Sequence, residues 1–237
     1  MKLFVIHPDH LIERGKHIEQ MLNRLGLDFE FVNEGKTESK IQEYLHKYLK
    51  DGQEKMLQKV PRSLCTISHF LAYEKIVSEN LEGALILEDD VVLYSNFLPL
   101  YQQTMVEYSS LYSQQRVIIS YEDSSLQFVP RSQRVEGRML YPGKKDRMAG
   151  AYFINKVAAA AILERLQTLR CDVAIDVYHY QLIREGFIQY LWCQPALATQ
   201  GSFTGAFRSS LSKKKDIMIR MRWCFKRNYK RLLYWLR

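Results

Sequence analysis

The chain has 237 residues, 47% hydrophobic and 12% aromatic, which suits one large domain with a sizeable core rather than a disordered or stapled mini-protein. Four cysteines (Cys65, Cys171, Cys193 and Cys224) show none of the short paired spacings of a zinc module or disulfide framework, and reduced cytosolic thiols are expected. The net charge of +8 would suggest nucleic acid, but from Arg208 to Arg237 there are eleven Lys/Arg against Asp216 alone, leaving 23 bases and 25 acids before it. The body is nearly neutral, no nucleic-acid partner is expected, and only the tail calls for an acidic surface.

Lys2 to Ile6 reads as a short buried strand with neither a signal peptide's apolar region nor a membrane span around it. A helix from about Leu11 to Leu25 follows, stopped by Gly26. Phe29 to Val32 resembles a second strand, and Thr37 to Leu49 a helix with Ile41, Leu45 and Leu49 at i+4 spacing. Ser63 is placed to cap a helix reaching about Asn80, with Leu64, Ile67, Leu71 and Ile76 on its buried face and Cys65, Ser68 and Ala72 on a small one. Ala84 to Leu87 and Arg116 to Ser120 are apolar runs of the kind found in central parallel strands.

Leu126 to Tyr141 is expected to form an irregular hairpin, and Ala151 to Ile154 a strand. Asn155 would cap an alanine-rich helix reaching about Leu169, and Asp176 precedes a further helical pattern. Phe187 to Cys193 reads as a last strand and Gln194 to Phe207 as a loop. Strands alternating with helices predict an α/β domain over residues 1–207, followed by a basic tail, 208–237.

That tail sorts on a helical wheel. Ile217, Met221, Cys224, Phe225, Tyr229, Leu232, Trp235 and Leu236 fall on one side; Arg220, Lys226, Arg227, Lys230, Arg231 and Arg237 fall on the other. A basic amphipathic helix of this kind suits an anionic membrane surface. The plainer alternative packs its apolar side on the domain and leaves its cations in water.

The chemistry is expected where the run Ala84-Leu85-Ile86-Leu87 ends in Glu88-Asp89-Asp90. Three carboxylates at a strand's C-terminal edge stand where open α/β sheets bind ligands, and a hard divalent cation relieves their repulsion. Alternation puts Glu88 and Asp90 on one side and Asp89 on the other, making Asp90 and Glu88 the candidate metal or ribose contacts. An acidic loop capping the next element is the alternative. A metal-dependent phosphohydrolase would share such a cluster but would need further acidic or histidine ligands, and a non-catalytic membrane protein would leave the acids without a purpose.

Three stretches carry a family resemblance. Phe4-Val5-Ile6 with Glu13-Arg14, Ser63-Leu64-Cys65-Thr66-Ile67-Ser68-His69 through Glu88-Asp89-Asp90, and Gly150-Ala151-Tyr152-Phe153-Ile154 with Asp176, Pro195 and Gln200 together resemble glycosyltransferase family 25, which builds lipopolysaccharide and includes β-galactosyltransferases. The sequence departs from it at His7-Pro8-Asp9, where family members often carry a small polar residue and an asparagine.

The resemblance implies a GT-A-like sheet, a uridine diphosphate sugar donor, galactose or else glucose, and a divalent metal, Mn²⁺ or Mg²⁺, at Asp90 and Glu88. It further implies donor contacts from Arg14, Ser68, His69, Glu88, Asp89, Gly150 and Tyr152, and inversion with Asp176 as the base. Asp146, Asp172, Glu122 and Asp123 are rivals for the base, and a plain helix cap is the alternative role of Asp176. The acceptor would be a lipid-linked oligosaccharide, and the location the inner face of the cytoplasmic membrane.

Overall fold

The structure is a computed structural model that describes residues 2–33, 38–50, 61–204 and 216–236, without the side chains of 61–63, 203–204 and 216–220. Its strands are β1 (Leu3–Ile6), β2 (Glu30–Val32), β3 (Gly83–Glu88), β4 (Val91–Leu93), β5 (Val117–Ser120), β6 (Leu140–Pro142), β7 (Ala151–Asn155), β8 (Gln189–Cys193) and β9 (Ala198–Gln200). The helices are α1 (Ile12–Arg24), α2 (Glu38–Tyr48), α3 (Pro61–Ser78), α4 (Phe97–Leu111), α5 (Lys156–Thr168), α6 (Ile175–Arg184), α7 (Gly201–Thr204) and α8 (Asp216–Leu236).

Seven strands form one sheet in the order β2-β1-β3-β7-β5-β8-β6, and β4 pairs with β9 in a separate ribbon. Strands β1, β2 and β3 run parallel, and β5 and β8 run parallel to one another. Between those groups β7 runs antiparallel to both β3 and β5. The C-terminal ends of β1, β3, β5 and β8 therefore share one edge. The expected α/β class, a sheet flanked by helices, is the one observed.

Alternation along the strands divides the core. Phe4, Ile6, Ala84, Ile86, Ile118 and Ile154 point to the layer formed by α2, α3, α5 and α6. Leu3, Val5, Leu85, Leu87, Ile119 and Phe153 point to α1 and α4. Helix α3 is enclosed almost all round, with Thr66, Ile67, Ser68, His69, Phe70, Leu71, Ala72 and Tyr73 all buried.

Local chemistry sets the boundaries. Gly26 ends α1 with φ +64°, a left-handed conformation that favours glycine. Asn155 caps α5 by accepting the Ala158 amide at 2.9 Å, and the same oxygen accepts the Val117 amide of β5. Thr37, expected to open α2, lies outside the described residues.

Three expectations are corrected. Ser63 is inside α3, not its cap, because the helix begins at Pro61, whose fixed φ and missing N–H suit a first turn. Residues 126–141 form no hairpin: after a short 3₁₀ turn at Arg131–Gln133, β6 pairs antiparallel with β8. The expected loop at 194–207 holds β9 and α7, with the rest of its span past Thr204 outside the described residues.

Candidate active site

The acidic run sits at the C-terminal end of β3, in the middle of the sheet. Glu88 continues the Ala84/Ile86 side and meets α3, whereas Asp89 continues the Leu85/Leu87 side and meets α1. On the α1 side, His7 Nδ1 lies 2.9 Å from Asp89 Oδ2 and Arg14 Nη1 donates to Asp89 Oδ1 at 3.2 Å. Gly15 makes this possible, since a Cβ there would stand 2.6 Å from His7 Nε2. The departure at His7 thus supplies a partner for Asp89.

On the α3 side, Gln200 Nε2 donates to Glu88 Oε2 at 3.0 Å, while Glu88 Oε1 faces His69 Nε2 at 3.6 Å and Cys65 Sγ at 3.8 Å. These last three ligand-type atoms lie within 4.8 Å of one another. His69 Nδ1 lies 2.7 Å from the Tyr152 hydroxyl, which is 2.7 Å from the Tyr73 hydroxyl, itself 2.8 Å from His179 Nε2. Burial pushes both imidazoles down to about 3, so they stay neutral at ordinary pH.

Asp90 follows in the turn. Its carbonyl accepts the Gly201 amide at 2.6 Å, and Arg14 Nη1 is 3.8 Å from its Oδ2. Its Oδ1 is buried and has no hydrogen-bond partner among the described residues. Burial first, and then Asp89 and Asp176, push Glu88 up to about 7. Burial and then Glu88 do the same to Asp90, opposed by Arg14. Burial holds protons on both carboxylates, Glu88 adds to the effect at Asp90, and one buried oxygen of Asp90 has no hydrogen-bond partner among the described residues. Such an oxygen-rich donor set fits a hard divalent cation, which would satisfy both. The softer Cys65, His69 and Glu88 group is of a kind that suits zinc better.

Gly150 stands over this edge: its carbonyl accepts the Glu88 amide at 2.8 Å and its amide donates to Glu122 Oε1 at 2.6 Å. A Cβ on Gly150 would come 2.9 Å from Gln200 Nε2, so only glycine lets Gln200 reach Glu88. Ser68 is buried and donates to the Leu64 carbonyl of its own helix. Tyr152 is also enclosed, at 1% exposure, and its hydroxyl meets His69 Nδ1. Both lie inside the packing around α3.

Asp176 lies in the first turn of α6 and is half-buried, with Oδ1 accepting the Val177 amide at 2.9 Å. The cap is Ala174, so Asp176 does not hold the ordinary capping role. Thr66 Oγ1 of α3 accepts the Ile175 amide and pins this helix start beside the site. The charge of Asp176 is felt at Glu88, His69 and Asp146.

Its rivals separate. Asp172 is paired with Lys50 at 2.7 Å. Asp123 receives Arg227 Nη2 at 2.8 Å and Arg231 Nη2 at 3.2 Å. Glu122 is fully buried between Gly150 and Ser124, and burial holds its carboxyl well above the usual range. Asp146 accepts from Tyr190 Oη and the Met148 amide and is pushed up to about 7 by burial.

Sequence reasoning passed over His7, Gly15 and Cys65 as members of this site and weighed Glu122 only as a rival base. Only Gly15, a glycine inside a helical pattern, carries a signal that could have been read.

Fold and site together define an α/β enzyme domain with an acidic, cation-demanding edge. The sequence matches glycosyltransferase family 25 (LPS biosynthesis protein) over residues 1–179. The chain belongs to that family and is a glycosyltransferase of lipopolysaccharide biosynthesis.

No curated protein matches the sequence. Similar solved structures include galactosyltransferase LgtC in complex with donor and acceptor sugar analogs (10% identity, 97% of this chain and 96% of that one, TM-score 0.47). A glycosyltransferase involved in glycosylation of the major capsid of PBCV-1 shows 12% identity, coverage of 94% and 98%, and a TM-score of 0.43. A Drosophila β1,4-galactosyltransferase 7 mutant in complex with manganese, UDP-Gal and xylobiose shows 11% identity, coverage of 93% and 79%, and a TM-score of 0.44.

Proposed function

We propose that this enzyme transfers a hexose, galactose in the first instance and glucose as the nearest alternative, from a uridine diphosphate sugar to a lipopolysaccharide or lipooligosaccharide core, with inversion. The observation that carries the reading is the convergence of Glu88, Asp90 and Asp176 on one sheet edge with Arg14 as the cation beside the acidic run. The sugar and the uridine rest on the family resemblance.

Asp90 and Glu88 would hold a divalent ion, Mn²⁺ or Mg²⁺, which when bound supplies charge stabilisation to the departing diphosphate. Arg14 and His7 hold Asp89 out of that position, so that Glu88 and Asp90 keep their carboxylates toward the donor. Gln200 and the Gly150 backbone fix Glu88 from two sides. Neutral His69, aimed by Tyr152, brings no positive charge of its own to Glu88.

Asp176 takes the proton of the acceptor hydroxyl as that oxygen bonds to the anomeric carbon, and the bond from that carbon to the diphosphate breaks on the opposite face. No covalent sugar intermediate is needed.

The test is release of uridine diphosphate from a panel of uridine diphosphate sugars with Mn²⁺, with and without chelator, followed by transfer to a truncated core oligosaccharide. Chelator-sensitive release from one donor supports the reading, and absence of release and binding across the panel overturns it. Asp176→Asn is expected to lower kcat for transfer about a hundredfold while donor affinity stays within about twofold. An unchanged kcat would move the base to Asp146.

A further inference from the structure

Helix α8 docks on the domain by the face that hydropathy assigns to water. Trp223 is buried and its indole N–H donates to the Ser124 carbonyl at 3.4 Å. Four residues on, Arg227 donates to Asp123 through Nε at 3.1 Å and Nη2 at 2.8 Å and also bonds the Tyr94 hydroxyl. Arg231 adds a bond to the same Asp123 oxygen at 3.2 Å, and the Tyr234 ring packs on Phe128 at 5.7 Å. Asp123 is fully buried, so these two guanidinium groups are its counter-charge.

At 3.6 residues per turn the opposite side of α8 carries Met221, Phe225, Tyr229, Leu232 and Leu236. They are 69%, 75%, 55%, 55% and 66% exposed. A soluble monomer rarely leaves so many large apolar side chains in one stripe. Arg222 and Lys226 are exposed beside it. The plain alternative, in which the apolar face packs on the domain, is not what the structure shows. Ile217, Arg220 and Arg237, which the wheel also placed, have side chains outside the described residues. Among the described residues no helix is long and apolar enough to cross a membrane.

We infer that the Asp123 clasp turns this stripe outward to lie in the surface of an anionic bilayer, with Phe225, Leu232 and their neighbours among the acyl chains and Arg222 and Lys226 at lipid phosphates. Charge decides the occupant: exposed Arg222 and Lys226 border the first half of the stripe, and anionic headgroups supply their complement. The clasp also sets the orientation. Asp123 adjoins Glu122, which holds the Gly150 amide, and Gly150 in turn holds the Glu88 amide. The helix is thereby fixed to the sheet edge that carries the acidic run, and membrane docking brings that edge to the bilayer.

The experiment is flotation of the full chain with phosphatidylglycerol or phosphatidylcholine vesicles at low and high salt, which needs neither donor nor acceptor and so stands apart from the transferase assay. The expected result is binding to phosphatidylglycerol at low salt, weaker binding to phosphatidylcholine or at high salt. Phe225→Glu with Leu232→Glu should weaken vesicle partition about tenfold or more, since both side chains would lose their burial. Both positions are exposed, so circular dichroism and donor hydrolysis should match the parent chain. Deleting the helix is a poorer probe, because it strips Asp123 of its arginines. Failure of the parent chain to float overturns the inference. So does equal flotation of the double variant, as does a parent dimer that fails to float and that the double variant splits, which would make a second copy the occupant. Flotation outcompeted only by nucleic acid, with phosphatidylcholine and phosphatidylglycerol bound alike, counts against it too.

Discussion

Two buried acidic centres lie on the same edge of the sheet and are balanced differently. Asp123 is fully enclosed, yet it has two guanidinium groups and a tyrosine hydroxyl on it, all from the chain itself. Among the described residues Asp90 has Arg14 at 3.8 Å and Glu88 has only the neutral imidazole of His69 at 3.6 Å, and burial pushes both carboxyls up to about 7. A centre whose charge the chain already balances is structural. A centre left short of positive charge is built to receive it from outside, which is the physical signature of a ligand or metal site.

The largest expected effect breaks the second centre. Asp90→Ala should lower kcat/KM about a thousandfold, or ~4 kcal/mol, if its carboxylate acts on the charge developing in transfer. Steady-state kinetics with a saturating divalent ion checks it. Asp90→Asn should leave thermal stability unchanged or raise it, because it removes a buried repulsion. A loss of stability matching the loss of activity would make Asp90 a structural residue like Asp123.

The next effect breaks the first centre. Asp123→Asn leaves half-buried Arg227 and exposed Arg231 beside a neutral amide and should cost about 1–2 kcal/mol in denaturant unfolding, since water can still reach the arginines. Trp223 lies in the same contact, so its fluorescence should shift to the red as α8 loosens. Unchanged stability and fluorescence would show that the clasp adds nothing to docking.

The sequence revealed the second centre and hid the first, for a physical reason. An apolar run ending in Glu88-Asp89-Asp90 is a local pattern, and so are the Asn155 cap and the Gly26 stop, all of which the structure contains. The alternation that separates Glu88 from Asp89 is also local. Asp90, past the strand end, follows the turn instead.

The Asp123 clasp joins residues 104 and 108 apart, and nothing near Asp123 announces its arginines. The wheel sorted α8 by hydropathy and so gave Arg227 and Arg231 to water. A fully buried acid that bonds both arginines outweighs that preference, and Trp223 can turn inward because its N–H finds the Ser124 carbonyl. Strands β6 and β9, at three residues each, are too short to show a period. Helix α3, buried on nearly every side, has no exposed face to betray which of its residues serve the site.

The smallest effect probes a third buried carboxylate, Asp146, whose bonds come from the Tyr190 hydroxyl and the Met148 amide and not from a cation. Burial is the main cause of its rise from 3.8 to about 7. A group whose folded value lies above its unfolded one binds its proton more tightly in the folded chain. Its stabilising contribution is complete at pH below the unfolded value and disappears as pH climbs through the folded one.

Between pH 6 and pH 8 Asp146 alone should therefore withdraw about 1.4 kcal/mol of stability. Unfolding by urea at several pH values, with chelator present, checks this. Asp146→Asn should flatten that part of the slope, because the amide keeps an oxygen for Tyr190 but has no proton to release. The slope that remains in the variant belongs to the other raised carboxylates, and a divalent ion bound at Glu88 and Asp90 should reduce it further. If Asp146→Asn leaves the slope untouched, Asp146 is ionised across the whole range, and its value as a rival base to Asp176 rises accordingly.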